Sequence, residues 1–255
     1  MKQLLTPALA AALLLGLRVA PAAAQTTFRL GLRGGANRAL TTVAASANSS
    51  GIYPFSYSTA KAALYAWQAG VVLEAAIGKF AFQPALVFSQ KGEKASTELS
   101  ASGVAGYTAA QTTSTNRYNW LELPLNVVYT LHGDHGLQVF AGPYVALAVG
   151  GRQRGTTTAT SYYGPAIDPL PSKAIDFDNA TAYGAGTNNR RLDAGVNFGV
   201  GYRQGPVQVQ VGYGLGLRNL HQPADTRRVD FGHELAADAA YNRVAQLTGT
   251  YFFGL

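Results

Sequence analysis

Residues 192–217 read LDAGVNFGVGYRQGPVQVQVGYGLGL, and apolar residues alternate with polar or glycine residues on both sides of a central Gly-Pro. The apolar positions run from Leu192 to Tyr202 in the first half and from Val207 to Leu217 in the second. A period of two is typical of a β-strand with one apolar face, and Gly and Pro are typical turn residues. The stretch therefore predicts an antiparallel hairpin of two long strands.

The same alternation recurs along the rest of the chain. Six further runs show it, although less cleanly in the first five: 28–33, 65–77, 80–89, 121–130, 137–149 and 242–255. Together with the central hairpin they make eight candidate strands. Most reach about ten residues, which is the length that crosses a bilayer at a tilt.

The connections between these strands alternate between short and long. Short links fall at 78–79, 132–136 and 204–206, whereas long links cover about 38–64, 91–116, 151–189 and 218–240. Long unstructured links are unusual inside a compact soluble domain. Their strict alternation with short turns is typical of outer-membrane barrels. We predict an all-β fold, an eight-stranded antiparallel up-and-down transmembrane β-barrel with short periplasmic turns and long extracellular loops.

The beginning of the chain has the features of an export signal. Lys2 precedes an apolar run from Leu4 to Leu17, and small residues at 22–24 suit a cleavage site. The run is shorter than the roughly 20 residues that a membrane-spanning helix needs. We predict a signal peptide at 1–24, followed by one barrel domain at 25–255. Its removal would lower the net charge from +7 to +5, because it contains two cations and no acid.

Composition excludes several classes of protein. The chain has 255 residues, no Cys, 29 Gly and only 13% charged residues. Absence of Cys rules out disulfides, thiol catalysis and Cys-ligated zinc. Low charge and high Gly argue against a disordered chain and a helical bundle. The basic residues are scattered rather than clustered in a stripe, so nucleic acid is not expected as a partner.

Alternation alone does not say which face points outward. A soluble, lipocalin-like ligand-binding barrel also alternates, with its apolar face inside. Here the apolar face carries the bulky side chains and the polar face is rich in Gly, which suits the narrow interior of an eight-stranded barrel. Several aromatic residues near the predicted strand ends suit interfacial girdles: Tyr65, Trp67, Phe80, Tyr202, Tyr251 and Phe253. We therefore expect the apolar face to contact lipid.

The polar face carries few charged residues, and we expect them to pair inside the barrel because water is scarce there. The candidates for this lumen network are Arg29, Arg33, Glu74, Glu122, Asp193 and Arg203. We expect Glu122 to pair with one of the three arginines. The network has a structural interpretation, although it resembles a catalytic or ion-selective site.

The predicted long loops carry the candidates for binding. They are Tyr53, Tyr57, Arg152, Arg154, Tyr162, Tyr163, Arg227 and Arg228. Arginine clusters suit the phosphates of lipopolysaccharide, whereas aromatic residues suit an extracellular glycan or protein. A plain solvated surface rich in Ser, Thr and Gly is the alternative.

Catalysis is the other alternative, because small outer-membrane barrels include lipid-modifying enzymes. The four histidines are His132, His135, His221 and His233, and none occupies a strand position beside a serine. No catalytic triad can be assembled from them. We expect no catalytic residue, no cofactor and no metal.

Five motifs resemble one family. They are Gly31-Leu32-Arg33-Gly34-Gly35-Ala36-Asn37, Phe88-Ser89-Gln90-Lys91-Gly92, Leu121-Glu122-Leu123-Pro124-Leu125, Gly142-Pro143-Tyr144, and Leu215-Gly216-Leu217 with Asn219-Leu220. In this order they resemble the PorT-like outer-membrane β-barrel proteins of Bacteroidota, which are often named simply as porin-family proteins. The resemblance implies an eight-stranded outer-membrane barrel and no particular activity. Some relatives serve gliding and secretion, and nothing in this sequence selects that role.

The last strand resembles the signal that the outer-membrane assembly machinery recognises. Thr248, Phe253 and Leu255 fit that pattern, whereas Thr250 stands where Gly is typical. The resemblance implies that this machinery is a partner of the chain.

Overall fold

A computed structural model describes residues 26–42, 45–49, 54–103, 106–163, 172–187, 189–221 and 239–254. The predicted signal peptide at 1–24 lies outside these residues. The described strands are β1 (Thr27–Thr42), β2 (Ala45–Ser49), β3 (Phe55–Ile77), β4 (Phe80–Gly103), β5 (Gly106–Thr130), β6 (His135–Tyr163), β7 (Lys173–Ala180), β8 (Leu192–Gln204), β9 (Val207–Gly216) and β10 (Tyr241–Gly254).

Eight of these strands close into a ring. β1 pairs with β10 on one side and with β3 on the other, and the ring continues through β4, β5, β6, β8 and β9. Every pairing is antiparallel. β2 adds to the beginning of β3, and β7 adds to the end of β6. The predicted eight-stranded all-β ring is confirmed.

Three tight connections lie together at one end of the ring, which we call the short-turn end. They join β3 to β4, β5 to β6, and β8 to β9. Gly78 and Gly205 adopt φ angles of 59° and 56°, a left-handed backbone conformation that residues other than glycine rarely adopt. The turn residues predicted from the sequence therefore do end these strands.

At the opposite end, much of the predicted loop sequence is strand. β4 continues to Gly103 and β5 begins at Gly106, with their ladder unbroken from Lys94–Thr115 to Gly103–Gly106. The expected loops at 38–64, 91–116 and 151–189 are thus largely paired backbone, whereas 222–238 lies outside the described residues. The error arose because these segments are rich in Ser, Thr and Ala and show no apolar alternation.

These extensions form one sheet beyond the ring, which we call the projecting sheet. It consists of β2, β7 and four segments of the longer strands, at 55–63, 94–103, 106–115 and 152–163. Hydroxyl side chains bond across it. The hydroxyl oxygens of Thr59 and Thr97 are 3.0 Å apart, and those of Thr112 and Thr157 are 2.9 Å apart. The barrel therefore carries an ordered wall of strand at one end.

The central hairpin decides which face points outward. Val209 and Val211 are 46% and 56% exposed, whereas Gln208 and Gln210 between them are 0% and 2% exposed. On β8, Phe198 is exposed and Asn197 is buried. The apolar face lies outside the ring and the polar face inside it, so the lipocalin-like arrangement is wrong.

Glycine on the inner face makes room for the few large side chains that point inward. A Cβ on Gly212 would lie 2.7 Å from Cζ of Phe140, and one on Gly199 would lie 2.8 Å from Cε1 of the same ring. A Cβ on Gly195 would lie 2.7 Å from Cε1 of Tyr144. These two inward rings therefore occupy space that glycine leaves open on the neighbouring strands.

Aromatic residues on the outer face lie at two levels. Near the short-turn end, Phe80 contacts Tyr129 and Tyr251 contacts Phe253, with ring centroids 5.1 and 5.0 Å apart. At the other level are Tyr65 and Trp67, which we expected at a strand end. They lie in the middle of β3 because that strand continues into the projecting sheet.

Candidate functional site

The lumen near the short-turn end is built around one buried carboxylate. Glu74 of β3 accepts a hydrogen bond from Nη1 of Arg29 at 2.9 Å and another from Nη1 of Arg203 at 2.6 Å. Nε2 of Gln83 donates a third, at 2.7 Å. Glu74 and Arg203 are almost completely buried, and Arg29 is partly exposed. This group brings together three of the six predicted lumen residues.

The middle of the lumen is polar but contains no ion pair among the described residues. Arg33 donates to the hydroxyl of Thr250 and to the amide oxygen of Gln210, both at 3.2 Å. No carboxylate of the described lumen residues pairs with Arg33, since Glu74, Glu122 and Asp193 each contact other partners. A cavity of about 10 Å³ lies beside Arg33, which is about the space that one water molecule needs.

The lumen beyond the middle contains a second buried pair, which corrects the sequence prediction. Glu122 pairs with Nζ of Lys91 at 2.6 Å, not with Arg29, Arg33 or Arg203. Both side chains are nearly fully buried. Lys91 was missed because we placed it in a loop. Its position two residues after the inward-facing Ser89 was the signal that could have found it.

Asp193 lies next to this pair but has neutral partners. It accepts hydrogen bonds from the hydroxyl of Tyr144 at 3.1 Å and from Nδ2 of Asn242 at 2.8 Å. Nζ of Lys91 lies 4.9 Å from the centre of the Tyr144 ring. The tyrosine therefore links the Lys91–Glu122 pair to Asp193.

Aromatic side chains pack together on the inner side of the ring at the base of the projecting sheet. Trp120 is buried and meets Tyr183 edge to face, with ring centroids 6.3 Å apart. The Tyr118 hydroxyl donates to Glu93 at 3.1 Å, and Lys61 lies 3.8 Å from the same carboxylate. Sequence reasoning missed all of these residues, because each lies in a segment that we read as a loop or at the beginning of a strand.

The predicted loop residues do not form one site. Tyr57 lies on β3, and Arg152, Arg154, Tyr162 and Tyr163 lie on β6, so the structure places all five on strands rather than loops. The pairing register puts Tyr57 and the two arginines on opposite faces of the projecting sheet. The other three candidates, Tyr53, Arg227 and Arg228, lie outside the described residues.

The two arginines on β6 share one carboxylate. Arg152 donates to Asp178 of β7 through Nε and, at 2.8 Å, through Nη2. Nε of Arg154 donates to the same carboxylate at 3.0 Å. These hydrogen bonds, with Arg152 as the larger influence, hold the pKa of Asp178 below its ordinary value. All three side chains are exposed, so the cluster belongs to the outer surface.

The histidines of the short-turn end lie on the surface. His132 and His135 stack with ring centroids 5.5 Å apart, and Nδ1 of His135 lies 3.0 Å from Asp134. The hydrogen bond from His135 lowers the pKa of Asp134. Within the described ranges, no group of three or more His, Cys, Asp or Glu side chains is arranged to hold a metal ion.

Comparison with known protein families decides the class. The family model described as outer membrane protein beta-barrel domain matches residues 23–222. The chain is a member of this family of outer-membrane β-barrel proteins. The match covers most of the 255 residues and agrees with the apolar exterior of the ring. In the part of the chain that the structure describes, no helix has the length and apolar character to cross a bilayer.

Solved structures of outer-membrane channels resemble this barrel only weakly. The TodX monoaromatic hydrocarbon channel (a deltaS2 mutant) has 10% identity and a TM-score of 0.18, with 90% of each chain covered. A FadL homologue from Pseudomonas aeruginosa has 8% identity and a TM-score of 0.20, with 89% of this chain and 90% of that chain covered. Such low scores carry no information on function. No curated protein matches the chain.

Proposed function

We propose that this protein is a sealed outer-membrane barrel that displays the projecting sheet outside the cell for binding, and that it forms no wide pore. The proposal has two parts, a lumen filled by side chains and an orientation with the short-turn end in the periplasm. Family membership gives the outer-membrane location on which both depend.

The sealed lumen rests on one observation, which is that buried side chains follow one another along the inside of the ring. Glu74 and its two arginines lie just inside a cavity of about 180 Å³ at the short-turn end, which Arg29 and Arg203 line. Further in, the cavity beside Arg33 admits about one water, and the Lys91–Glu122 pair occupies the next level. Trp120 lies beyond them. An interior of eight strands is just wide enough to be filled in this way.

Conductance measurement tests the sealed lumen. The full-length protein, purified and inserted in a planar bilayer, should give no large steady current. Matched detergent without protein is the control. Large, steady conductance steps that scale with the amount of protein would overturn the proposal, because the buried layers would then have to be displaced in the membrane.

The proposed orientation puts the projecting sheet at the cell surface, and the order of this sheet supports a role in binding there. Six strands hold it together, with backbone ladders and with hydroxyl pairs such as Thr112–Thr157. A surface that is ordered before binding loses less conformational entropy when a partner docks. An extracellular protein or glycan is the class of partner that we propose for it.

The absence of Cys makes the orientation directly testable. Thr113→Cys puts a single thiol on the exposed face of the projecting sheet, and Asp134→Cys puts one in a short turn. On intact cells, a membrane-impermeant maleimide should label the first variant and leave the second unlabelled until the outer membrane is permeabilised. The reverse pattern would contradict the proposed orientation.

We further propose that the chain belongs to the PorT-like subgroup of Bacteroidota, with the five motifs as support. Export by the signal peptide at 1–24 and insertion by the outer-membrane assembly machinery are parts of the same proposal. So are contacts of the apolar exterior with outer-membrane lipid and lipopolysaccharide. Mass spectrometry of the mature protein should find Gln25 at the amino terminus, and an unprocessed amino terminus would count against export by this signal.

We propose a non-enzymatic role. The hydrogen bonds of the described residues join neither His132 nor His135 to a serine, and the carboxylates of the lumen are held in ion pairs or by amides and hydroxyls. Incubation of the purified barrel with lipopolysaccharide should leave its acyl chains intact by mass spectrometry. Removal or transfer of an acyl chain would instead establish the lipid-modifying alternative.

A further inference from the structure

Four cationic side chains form a cluster on the outer face of three adjacent strands. We call it the rim cluster, and it consists of Lys94 on β4, Arg117 on β5, and Arg152 and Arg154 on β6. Arg117 pairs directly with Arg152, while Lys94 and Arg154 both pair with Thr115 in the next row. All four side chains are exposed.

The arrangement is unfavourable unless an anion is near. Like charges directly opposite each other on neighbouring strands destabilise a sheet, and Arg117 faces Arg152 in this way. Among the described residues, Asp178 is the acid that pairs with the cluster, and it contacts only the two arginines of β6. Arg117 instead donates to the neutral amide of Gln90 at 2.9 Å. These five charged side chains therefore keep a net charge of +3.

The cluster lies just above the apolar band of the barrel. Phe88, Leu121 and Leu147 share one cross-strand row on the outer face, and the two leucines are exposed. Arg117 lies four residues before Leu121 on β5, on the side of the projecting sheet. This separation is about 14 Å along the strand at ~3.4 Å per residue, and less along the membrane normal because the strands tilt.

Between the band and the cluster lies a row of neutral polar side chains. Nε2 of Gln90 donates to Asn119 at 3.1 Å, and the two residues pair across β4 and β5. Apolar, amide and cationic rows therefore follow one another outward. This is the order of environments that a strand meets on leaving the hydrocarbon core and entering the headgroups.

We propose that the rim cluster binds the phosphate of a glycolipid headgroup in the outer leaflet. Guanidinium groups bind phosphate oxygens through paired hydrogen bonds, and one phosphate between Arg117 and Arg152 would remove their repulsion. A lipid is the expected source because the cluster faces sideways over the apolar band. The assignment of leaflet rests on the orientation in the proposed function.

The test measures lipid binding by the full-length barrel in detergent micelles. The probes are bisphosphorylated lipid A, the same lipid A without phosphates, and inorganic phosphate. Native mass spectrometry should show at least tenfold more bound phosphorylated lipid A than phosphate-free lipid A. The triple variant Lys94→Gln, Arg117→Gln, Arg152→Gln should lose at least tenfold of this binding.

A control variant removes two cations outside the rim cluster. Lys79→Gln with Lys173→Gln takes one from a short turn and one from the beginning of β7, and it should bind as the unmodified chain does. Arg117→Lys keeps the charge without the paired hydrogen bonds, and it should give an intermediate loss. The mobility shift of the unheated barrel on gels verifies that each variant is folded before binding is measured.

Three results would overturn the proposal. They are equal binding of both lipid A forms, unchanged binding by a folded triple variant, and competition by inorganic phosphate as strong as that by lipid A, which would indicate a site for soluble anions. Failure of the proposed function is distinguishable, because it would appear as reversed maleimide labelling while lipid A binding in micelles persisted.

Discussion

The barrel wall and the projecting sheet are made from the same strands, yet different side chains hold each of them. In the wall, β5 presents Leu121 and Leu123 outward and buries Glu122 between them. In the projecting sheet, the same strand presents Thr113 and Thr115 outward and Thr112 and Ser114 on the other face. The backbone ladder continues through both. Strand pairing therefore continues beyond the point where one face is apolar and the other polar. The two regions should respond differently to substitution.

The largest effect should come from the most buried charge of the wall. Glu74→Leu leaves Arg203 buried without its carboxylate and Arg29 without its partner. Removing one partner of a buried pair costs about 3–5 kcal/mol. The temperature at which the folded band disappears from gels should fall sharply. Asp178→Leu in the projecting sheet is the control, and because its ion pairs are exposed it should lower that temperature only slightly. Equal shifts in both variants would contradict the expected difference between the two regions.

A smaller loss should follow Glu122→Leu. Lys91 then lacks its carboxylate but keeps its contact with the Tyr144 ring at 4.9 Å. The double variant Lys91→Met, Glu122→Leu removes both charges, and it should recover much of the lost stability because a well-packed apolar pair often replaces a buried ion pair without loss. Urea unfolding followed by tryptophan fluorescence measures both. No recovery in the double variant would mean that the pair is held by more than its mutual charge.

A local effect should follow Thr112→Val in the projecting sheet. The substitution removes the hydroxyl bonded to Thr157 at 2.9 Å, and such a bond contributes about 0.5–1.5 kcal/mol. Amide exchange should become faster in 106–115 and 152–163 and stay unchanged in β8 and β9. Faster exchange throughout the ring would show that wall and sheet unfold as one unit.

The smallest effect should be a change with pH at the β6–β7 pairing. The pKa of Asp178 is held below its ordinary value by Arg152 and Arg154, so folding gains stability from the ionised form. That stability is fully present above the unfolded pKa near 3.8, and it is lost as the pH falls further through the folded value. Amide exchange in β7, corrected for its intrinsic pH dependence, should lose protection below about pH 4. Asp178→Asn should abolish this change, and an unaltered pH profile in that variant would assign it to another group.

The difference between the wall and the projecting sheet also explains which strands could be predicted from the sequence. Alternation in 192–217 predicts β8, β9 and their turn, because lipid and a narrow lumen demand opposite side chains at successive positions. In 94–116 neither face makes that demand, and residues such as Thr97 and Thr112 suit both. Partner choice in the lumen was not predictable either. Glu122 meets Lys91 because of register between strands, which the pattern along one strand does not specify.

The pairing of β1 with β10 has a consequence for how the molecule is made. Fourteen residue pairs, from Arg29–Gly254 to Thr42–Tyr241, form this seam between the first and last described strands. Until β10 arrives, β1 and β9 each expose a row of unsatisfied amides and carbonyls that hydrocarbon does not tolerate. Biogenesis of the cylinder must therefore be sheltered until β10 has been delivered, and a truncation before Tyr241 would leave an open sheet that is exposed to degradation.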